Sequence, residues 1–459
     1  MTNNYSSSRS NLLKRIGLSP GKKLLIFLIS AALITIPLGY AYNSIAIILF
    51  VLYSLLSAKK EDFSVNYVLL LPVLLFILMT LSLTWSIDFK STLKALSKEA
   101  SLIFIPLAFC FNKPLIRMGH RQILKNYSLS MCLFGLYFIG RAIVRYSQTG
   151  NLGVFLYTEL ATKEVTSVYL SAFFSIAFFY YLSLRHKRVT DYAGLIFIAM
   201  LIALLLNKSI IAIDVLLTAI YFIFYSNMAK NIRMSIGIGF FALTAGLVYY
   251  VKTTAVLPAE YISNVPETQA LANEGLPLNN VTLGEAWSKP RFSENDYFNG
   301  TAFRVYQIRI FTELLQEEPI FFTGYGLNAS LKKIEAKARE HNVFEGGVLN
   351  HRYSRQNFHN QYVETFADLG VFGFLLLLAL LFVNLKNSLR GKDFMHIAFA
   401  ILMIALLLTE SFLWRHRGIV LFTILYCLFN IRLPKGTEKQ QHEKNTHNWG
   451  GRFFRVTPM

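Results

Sequence analysis

Negative charge and cysteine are both scarce in this sequence. Its 459 residues hold 26 Asp and Glu against 45 Lys and Arg, and charged residues of either sign make up only 15%. The three cysteines, Cys110, Cys132 and Cys427, each sit inside or at the edge of an apolar run, and no CxxC spacing occurs. That excludes a disulfide framework and a thiolate metal site. There is no HExxH, and His351 and His359 stand eight residues apart without an acidic cluster beside them. Neither a metal nor a cofactor is therefore called for. The net charge of +19 suggests nucleic acid, but no basic patch interleaved with aromatics appears on a soluble stretch. The basic residues punctuate apolar runs, so membrane lipids with anionic head groups are the better partner.

Apolar residues supply what charge does not. They make up 54% of the chain, and a mean hydropathy of +0.44 excludes disorder and argues against a soluble enzyme. Crossing a hydrocarbon layer of about 30 Å takes roughly 20 residues of helix, and a window of that length finds about twelve candidates. The clearest are Leu24 to Tyr40, Tyr67 to Leu83, Ser128 to Val144, Val168 to Leu184, Ile232 to Val251, Leu369 to Leu385 and Phe394 to Leu408. Shorter ones are Ile45 to Leu56, Leu102 to Phe111, Tyr192 to Leu206, Ile210 to Tyr225 and Ile419 to Ile431. The expected fold class is an all-α integral membrane protein.

Lys and Arg are retained in cytoplasmic loops. Arg9, Lys14, Arg15, Lys22 and Lys23 precede the first run, and alternate loops carry Lys59/Lys60, Lys113/Arg117/Arg121/Lys125, Arg185/Lys187/Arg188, Lys230/Arg233 and Lys386/Arg390/Lys392. Both termini are thus expected in the cytoplasm, and without an A-x-A site the first run reads as a retained helix rather than a signal peptide. This divides the chain into a basic N-terminus (1–23), nine spans (24–251), an outer loop domain (252–358), three spans (359–431) and a basic tail (432–459). No internal repeat relates the halves.

The loop domain opens irregularly, Pro258 to Arg291 being rich in Pro, Asn and Gly. A helix is expected over Thr301 to Glu317, with Phe303, Tyr306, Ile310, Phe311, Leu314 and Leu315 on one face and Asn299 or Thr301 as its cap. Gly324-Tyr325-Gly326 reads as a turn, and Leu331 to His341 as a second, basic helix.

Phe358-His359-Asn360 leads into the tenth span and sets a titratable imidazole at the membrane surface. Imidazole is suited to accept a proton from an attacking hydroxyl near neutral pH; the plainer alternative is an interfacial histidine that only bonds a neighbour. Gly370 and Gly373 lie three apart on one helical face, so a second helix is expected to approach closely there and fix the direction in which His359 projects. Cations also gather on the outer side, where they run against the topological preference. Arg304 lies near the start of the loop helix, Lys208 sits in the short turn Asn207-Lys208-Ser209, and Arg415, His416 and Arg417 fill the last outer turn. A pyrophosphate would explain them; snorkelling to head groups, or a solvated helix face for Arg304, are the alternatives. Asp214 and Glu410 are intramembrane acids, read as counter-ions, Glu410 being assigned to Arg417.

His359, Asn360, Gly370 and Gly373 reproduce, with the spacing intact, the histidine signature of the bacterial O-antigen ligase and polymerase superfamily, which the sequence resembles. The resemblance extends to a long loop late in the chain and to an arginine opening a helix about twenty residues before a Gly-x-Gly turn. It implies a GT-C-like membrane glycosyltransferase in the bacterial inner membrane, its active site facing the periplasm. Such an enzyme moves a glycan from undecaprenyl pyrophosphate to an acceptor hydroxyl, such as a lipid A core sugar, without a metal. By position, His359 would be the base and Arg304 a pyrophosphate-binding cation, with Lys208 standing where the family usually has an arginine and Arg417 as a third cation. Polymerase and protein O-oligosaccharyltransferase are alternatives within the same superfamily, and a transporter or flippase is the alternative outside it. Charges at the outer rim and unrelated halves argue against the last.

Overall fold

The computed structural model describes residues 21–58, 66–162, 165–226, 279–293, 295–343 and 353–431, together with 229, 231 and 235. The expected span Ile232 to Val251, the basic termini, most of the irregular start of the loop domain and His351 lie outside the described residues. The remainder is mostly helical: α1 Lys22–Ile34, α2 Tyr40–Ser57, α3 Tyr67–Leu81, α4 Phe89–Glu99, α5 Ser101–Phe111, α6 Lys113–Thr149, α7 Ser167–Ser183, α8 Val189–Leu204, α9 Lys208–Ile220, α10 Leu283–Ser288, α11 Gly300–Glu317, α12 Leu331–Glu340, α13 Gln361–Gly391, α14 Phe394–Thr409 and α15 His416–Asn430.

Every expected span within the described residues falls on one of these helices. Among the described residues, five helical segments are long and apolar enough to cross a membrane: Tyr40–Ser57, Tyr67–Thr84, Ile116–Thr149, Lys208–Tyr225 and Gln361–Gly391. Shorter apolar helices, α7, α8, α14 and α15, pack into the same core. Helices that are apolar on all sides belong in the middle, and α7 and α15 are buried around nearly their whole circumference. By contrast α2 turns Ile45, Ile48, Leu49 and Leu52 outward, as a helix facing lipid would.

Three expected boundaries shift for identifiable reasons. Pro37, which cannot donate to an i−4 carbonyl, follows the end of α1, so the first span closes at Ile34 rather than Tyr40. The basic stretch after Lys113 is not a loop. It forms the first half of α6, a 37-residue helix, with Pro at its start and Gly150 ending it in the left-handed conformation. The tenth span starts early, at Gln361.

A second, smaller core gathers under α11 and α12, built on Phe298, Tyr306, Ile310, Leu314, Ile334 and Ala338. Asn299 caps α11, accepting from the backbone N–H of Thr301 and Ala302 at 3.0 Å each, and α12 matches its expected range within one residue. Two residues on each side, Asn279–Asn280 and Asp296–Tyr297, pair as a short parallel ladder. His341 is buried at the end of α12 within bonding distance of the Tyr306 hydroxyl, 3.1 Å from Nδ1, and burial pushes its imidazole below the usual range.

The lobe joins the bundle backbone to backbone. Tyr325 N–H donates to the Ala367 carbonyl and Gly326 N–H to that of Asp368, while Val371 N–H donates back to Phe321 (2.8–2.9 Å). This replaces the expected helix-on-helix contact at Gly370. At φ 65°, ψ −165°, Gly370 breaks α13 in a conformation essentially reserved for glycine, and a Cβ there would lie 2.2 Å from the Phe322 oxygen. Gly324 answers it from the turn, where a Cβ would lie 2.4 Å from the Asp368 carbonyl carbon. Gly373 packs against its own chain, at Leu369.

Candidate functional site

His359 is held by its neighbours in a conformation it would not choose alone. Its φ of +48° is left-handed, a cost of roughly 1–2 kcal/mol for an L-residue. Three contacts impose it. Asn357 Oδ1 accepts the His359 N–H at 3.3 Å, and Asn360 caps α13 by accepting from the N–H of Tyr362 and Val363. Phe358, fully buried, donates its N–H to Glu364 Oε2 at 3.0 Å. The asparagine of the histidine signature is therefore the helix cap that orients the histidine.

The loop between α14 and α15 meets this corner from the other side. Ser411 donates its hydroxyl to the same Glu364 oxygen at 3.2 Å, and Leu413 N–H donates to Gln361 Oε1 at 2.8 Å. One buried carboxylate oxygen thus ties the residue before His359 to the residue after Glu410. The result is a pair that the sequence reading missed: His359 Nδ1 lies 3.5 Å from Glu410 Oε2, the carboxylate being 10% exposed and the imidazole 25%. The Gln356 amide oxygen stands 3.4 Å from the opposite ring nitrogen, Nε2, and the Phe303 ring meets the imidazole edge to face at 5.7 Å. Glu410, assigned from sequence to Arg417, faces His359 instead.

Arg304 reaches the same place from the lobe. Its Nε donates to the carbonyl of Thr409, one residue before Glu410, at 2.8 Å, and Nη1 donates to Gly300 at 2.8 Å. Nη2 has no partner among the described residues. A guanidinium fixed along one edge and open along the other is suited to an anion. His359, Glu410 and Arg304 are thus brought together by four elements, α11, the start of α13, the end of α14 and the loop after it.

The other expected cations are placed differently. Arg417 is buried, donating to the carbonyls of Ile36 at 3.0 Å and Leu38 at 2.8 Å with its guanidinium 4.4 Å from the centre of the Tyr40 ring. It anchors the α14–α15 loop to the turn after α1. Arg415, two residues earlier, is exposed over the Tyr169 ring. Lys208 is exposed at the first turn of α9, which Asn207 caps.

Further buried acids surround the corner. Asp368 accepts the N–H of Asn328 at 2.7 Å and of Ser330 at 3.3 Å, fixing the loop that follows the Gly-Tyr-Gly turn. Glu99, at the end of α4, is buried with Oε2 unpartnered, and burial raises its carboxyl well above the usual range. Among the described residues, no three His, Cys, Asp or Glu side chains gather as metal ligands would.

Residues 154–378 match the family model described as O-antigen ligase, while no curated protein matches the chain. Enzymes of that family are glycosyltransferase-like and act on lipid-linked glycans. The matched stretch carries Lys208, Arg304 and the whole histidine signature from His359 to Gly373, and it ends before Glu410. That match, with a mostly helical bundle around it, supports the O-antigen ligase and polymerase superfamily for this stretch of the chain.

Proposed function

We propose that the protein is an O-antigen ligase-type glycosyltransferase with twelve membrane crossings, working at the periplasmic face of the bacterial inner membrane. It moves a glycan from undecaprenyl pyrophosphate to a hydroxyl of a lipid A core sugar. The pairing of His359 with Glu410, beside Arg304, carries this reading.

With Nδ1–H directed at the Glu410 carboxylate, Nε2 keeps its lone pair and faces outward as the base, the Gln356 amide giving way to the acceptor. The carboxylate selects the tautomer and steadies the imidazolium that forms. The acceptor oxygen attacks the anomeric carbon as its proton passes to Nε2, and the bond to the pyrophosphate oxygen breaks with its electron pair, inverting that centre. The open edge of Arg304 binds the departing pyrophosphate, and Lys208 adds a second charge. Arg417 contributes its field from the anchored end of the loop. With protein cations meeting the leaving-group charge, transfer is metal-independent.

The test offers purified protein in lipid a lipid-linked donor and, separately, lipid A core, a second lipid-linked glycan and a protein acceptor, in EDTA. Transfer to lipid A core is the expected outcome. Product on either other acceptor would make the protein a polymerase or a protein glycosyltransferase, and movement of intact donor across the membrane without transfer would overturn the enzyme reading.

A further inference from the structure

The chain between the third span and α5 carries three lysines, Lys90, Lys94 and Lys98, which the site above does not use. They lie one helical turn apart on α4, the 11-residue helix Phe89–Glu99. At 1.5 Å per residue it is about 16 Å long. Its place is fixed at both ends: α3 and the turn Ser82–Thr84 lead into it, and Ala100 is shared between its end and the start of α5. A helix so short between two apolar helices has to lie along the surface of the bundle where they meet.

Three sectors divide its circumference. Thr92, Ala95, Leu96 and Glu99 are buried against the protein. Beside them Phe89 and Leu93 stand 56% and 53% exposed, and next around the helix come Lys90 and Lys94, both exposed. An apolar edge followed by a lysine edge is the pattern of a helix lying in a membrane interface. No ion pair engages Lys90 or Lys94 among the described residues, whereas Lys332 takes the nearby Asp88 at 3.0 Å.

The buried side of α4 is bonded to the site. Ser91 donates to the Asn328 carbonyl at 3.3 Å and Thr92 to that of Leu327 at 2.8 Å, just after the Gly-Tyr-Gly turn. Lys98 lies over the Trp414 ring at 5.3 Å, and the Trp414 indole N–H donates to Asn328 Oδ1. A ligand held on the outer edge of α4 is therefore mechanically continuous with the loop that carries Glu410.

We propose that α4 is a docking surface for the anionic head group of a membrane phospholipid, with Phe89 and Leu93 in the acyl layer and Lys90 and Lys94 on the phosphate. Each lysine near an anionic surface adds favourable free energy that a neutral or zwitterionic head group does not supply. The proposal needs the membrane location but not the transferase reading.

A photo-crosslinking residue in place of Leu93, in the full chain, tests it. The protein is placed in phosphatidylcholine nanodiscs containing about one-fifth phosphatidylglycerol, and the crosslinked lipids are counted. Phosphatidylglycerol should be enriched about threefold or more over its share of the disc, and K90Q/K94Q should remove the enrichment while leaving total crosslinking unchanged. Crosslinked lipid of bulk composition, or enrichment that survives K90Q/K94Q, would overturn the proposal, as would the absence of lipid crosslinks. Loss of the enrichment on adding millimolar inorganic phosphate would assign the lysines to a soluble phosphate instead. None of these readouts depends on glycan transfer, so failure here and failure of the enzyme reading are separate results.

Discussion

His359, Arg304 and Asn360 were legible from the sequence because a short local spacing carries them. Glu364 and Glu410 were not. Glu410 was visible as an intramembrane acid, but nothing local pairs a carboxylate with an imidazole 51 positions earlier, and a cation seven residues on offered a nearer partner. Glu364 lies within the signature, yet an acid in the first turn of a helix reads as ordinary N-terminal compensation of the dipole. Its position shows a more specific task, since one oxygen bonds both stretches of chain that present His359 and Glu410. Glu364→Ala leaves the Phe358 N–H and the Ser411 hydroxyl without their acceptor, a loss of about 1–3 kcal/mol for a buried donor. Transfer should fall about 10²-fold through kcat, with the donor KM little changed. Glu364→Gln keeps an acceptor oxygen and should recover to within about tenfold. Equal losses in both variants would show that the charge, not the clamp, matters.

The cations allow a similar comparison. Arg304→Ala should nearly abolish transfer, and Lys208→Arg should keep much more of it than Lys208→Ala, because the second charge counts more than its shape. An active Arg304→Ala variant in a transfer assay would remove the pyrophosphate from this corner.

At the scale of elements, the helices followed from hydropathy and capping, while the joint between lobe and bundle did not. Two glycines three apart fit either a close helix contact or a break, and choosing between them requires knowing that the stretch from Phe321 to Gly326, more than forty residues upstream, lies against the chain from Ala367 to Val371. The amphipathic α4 escaped for a different reason: eleven residues of low mean hydropathy vanish in a window sized for spans. Gly370→Ala tests the joint. A Cβ 2.2 Å from a backbone oxygen, in a glycine-only conformation, should lower stability by about 2–3 kcal/mol or more, measured as a fall in the thermal midpoint of the detergent-solubilised protein. Gly140→Ala, in α6 with nothing within 4 Å of the added Cβ, should be neutral or slightly stabilising. Similar midpoints for the two variants would argue against the break.

In the molecule as a whole, the proposed transfer requires the lobe and the histidine corner on one side of the membrane, opposite the loop between α13 and α14. A periplasmic reporter fused near Asn280 should be active and one near Lys392 inactive, because Lys and Arg hold their loops on the cytoplasmic side. The reverse pattern would put the corner on the cytoplasmic face, away from the expected donor.

The central claim is that His359 accepts the proton of the acceptor while the rest of the corner holds the donor. It is tested by measuring donor binding and glycan transfer on the same preparation of His359→Ala in lipid. Donor affinity should stay within about twofold of wild type while transfer falls by about 10² or more. Transfer near the wild-type rate with donor binding intact would contradict it.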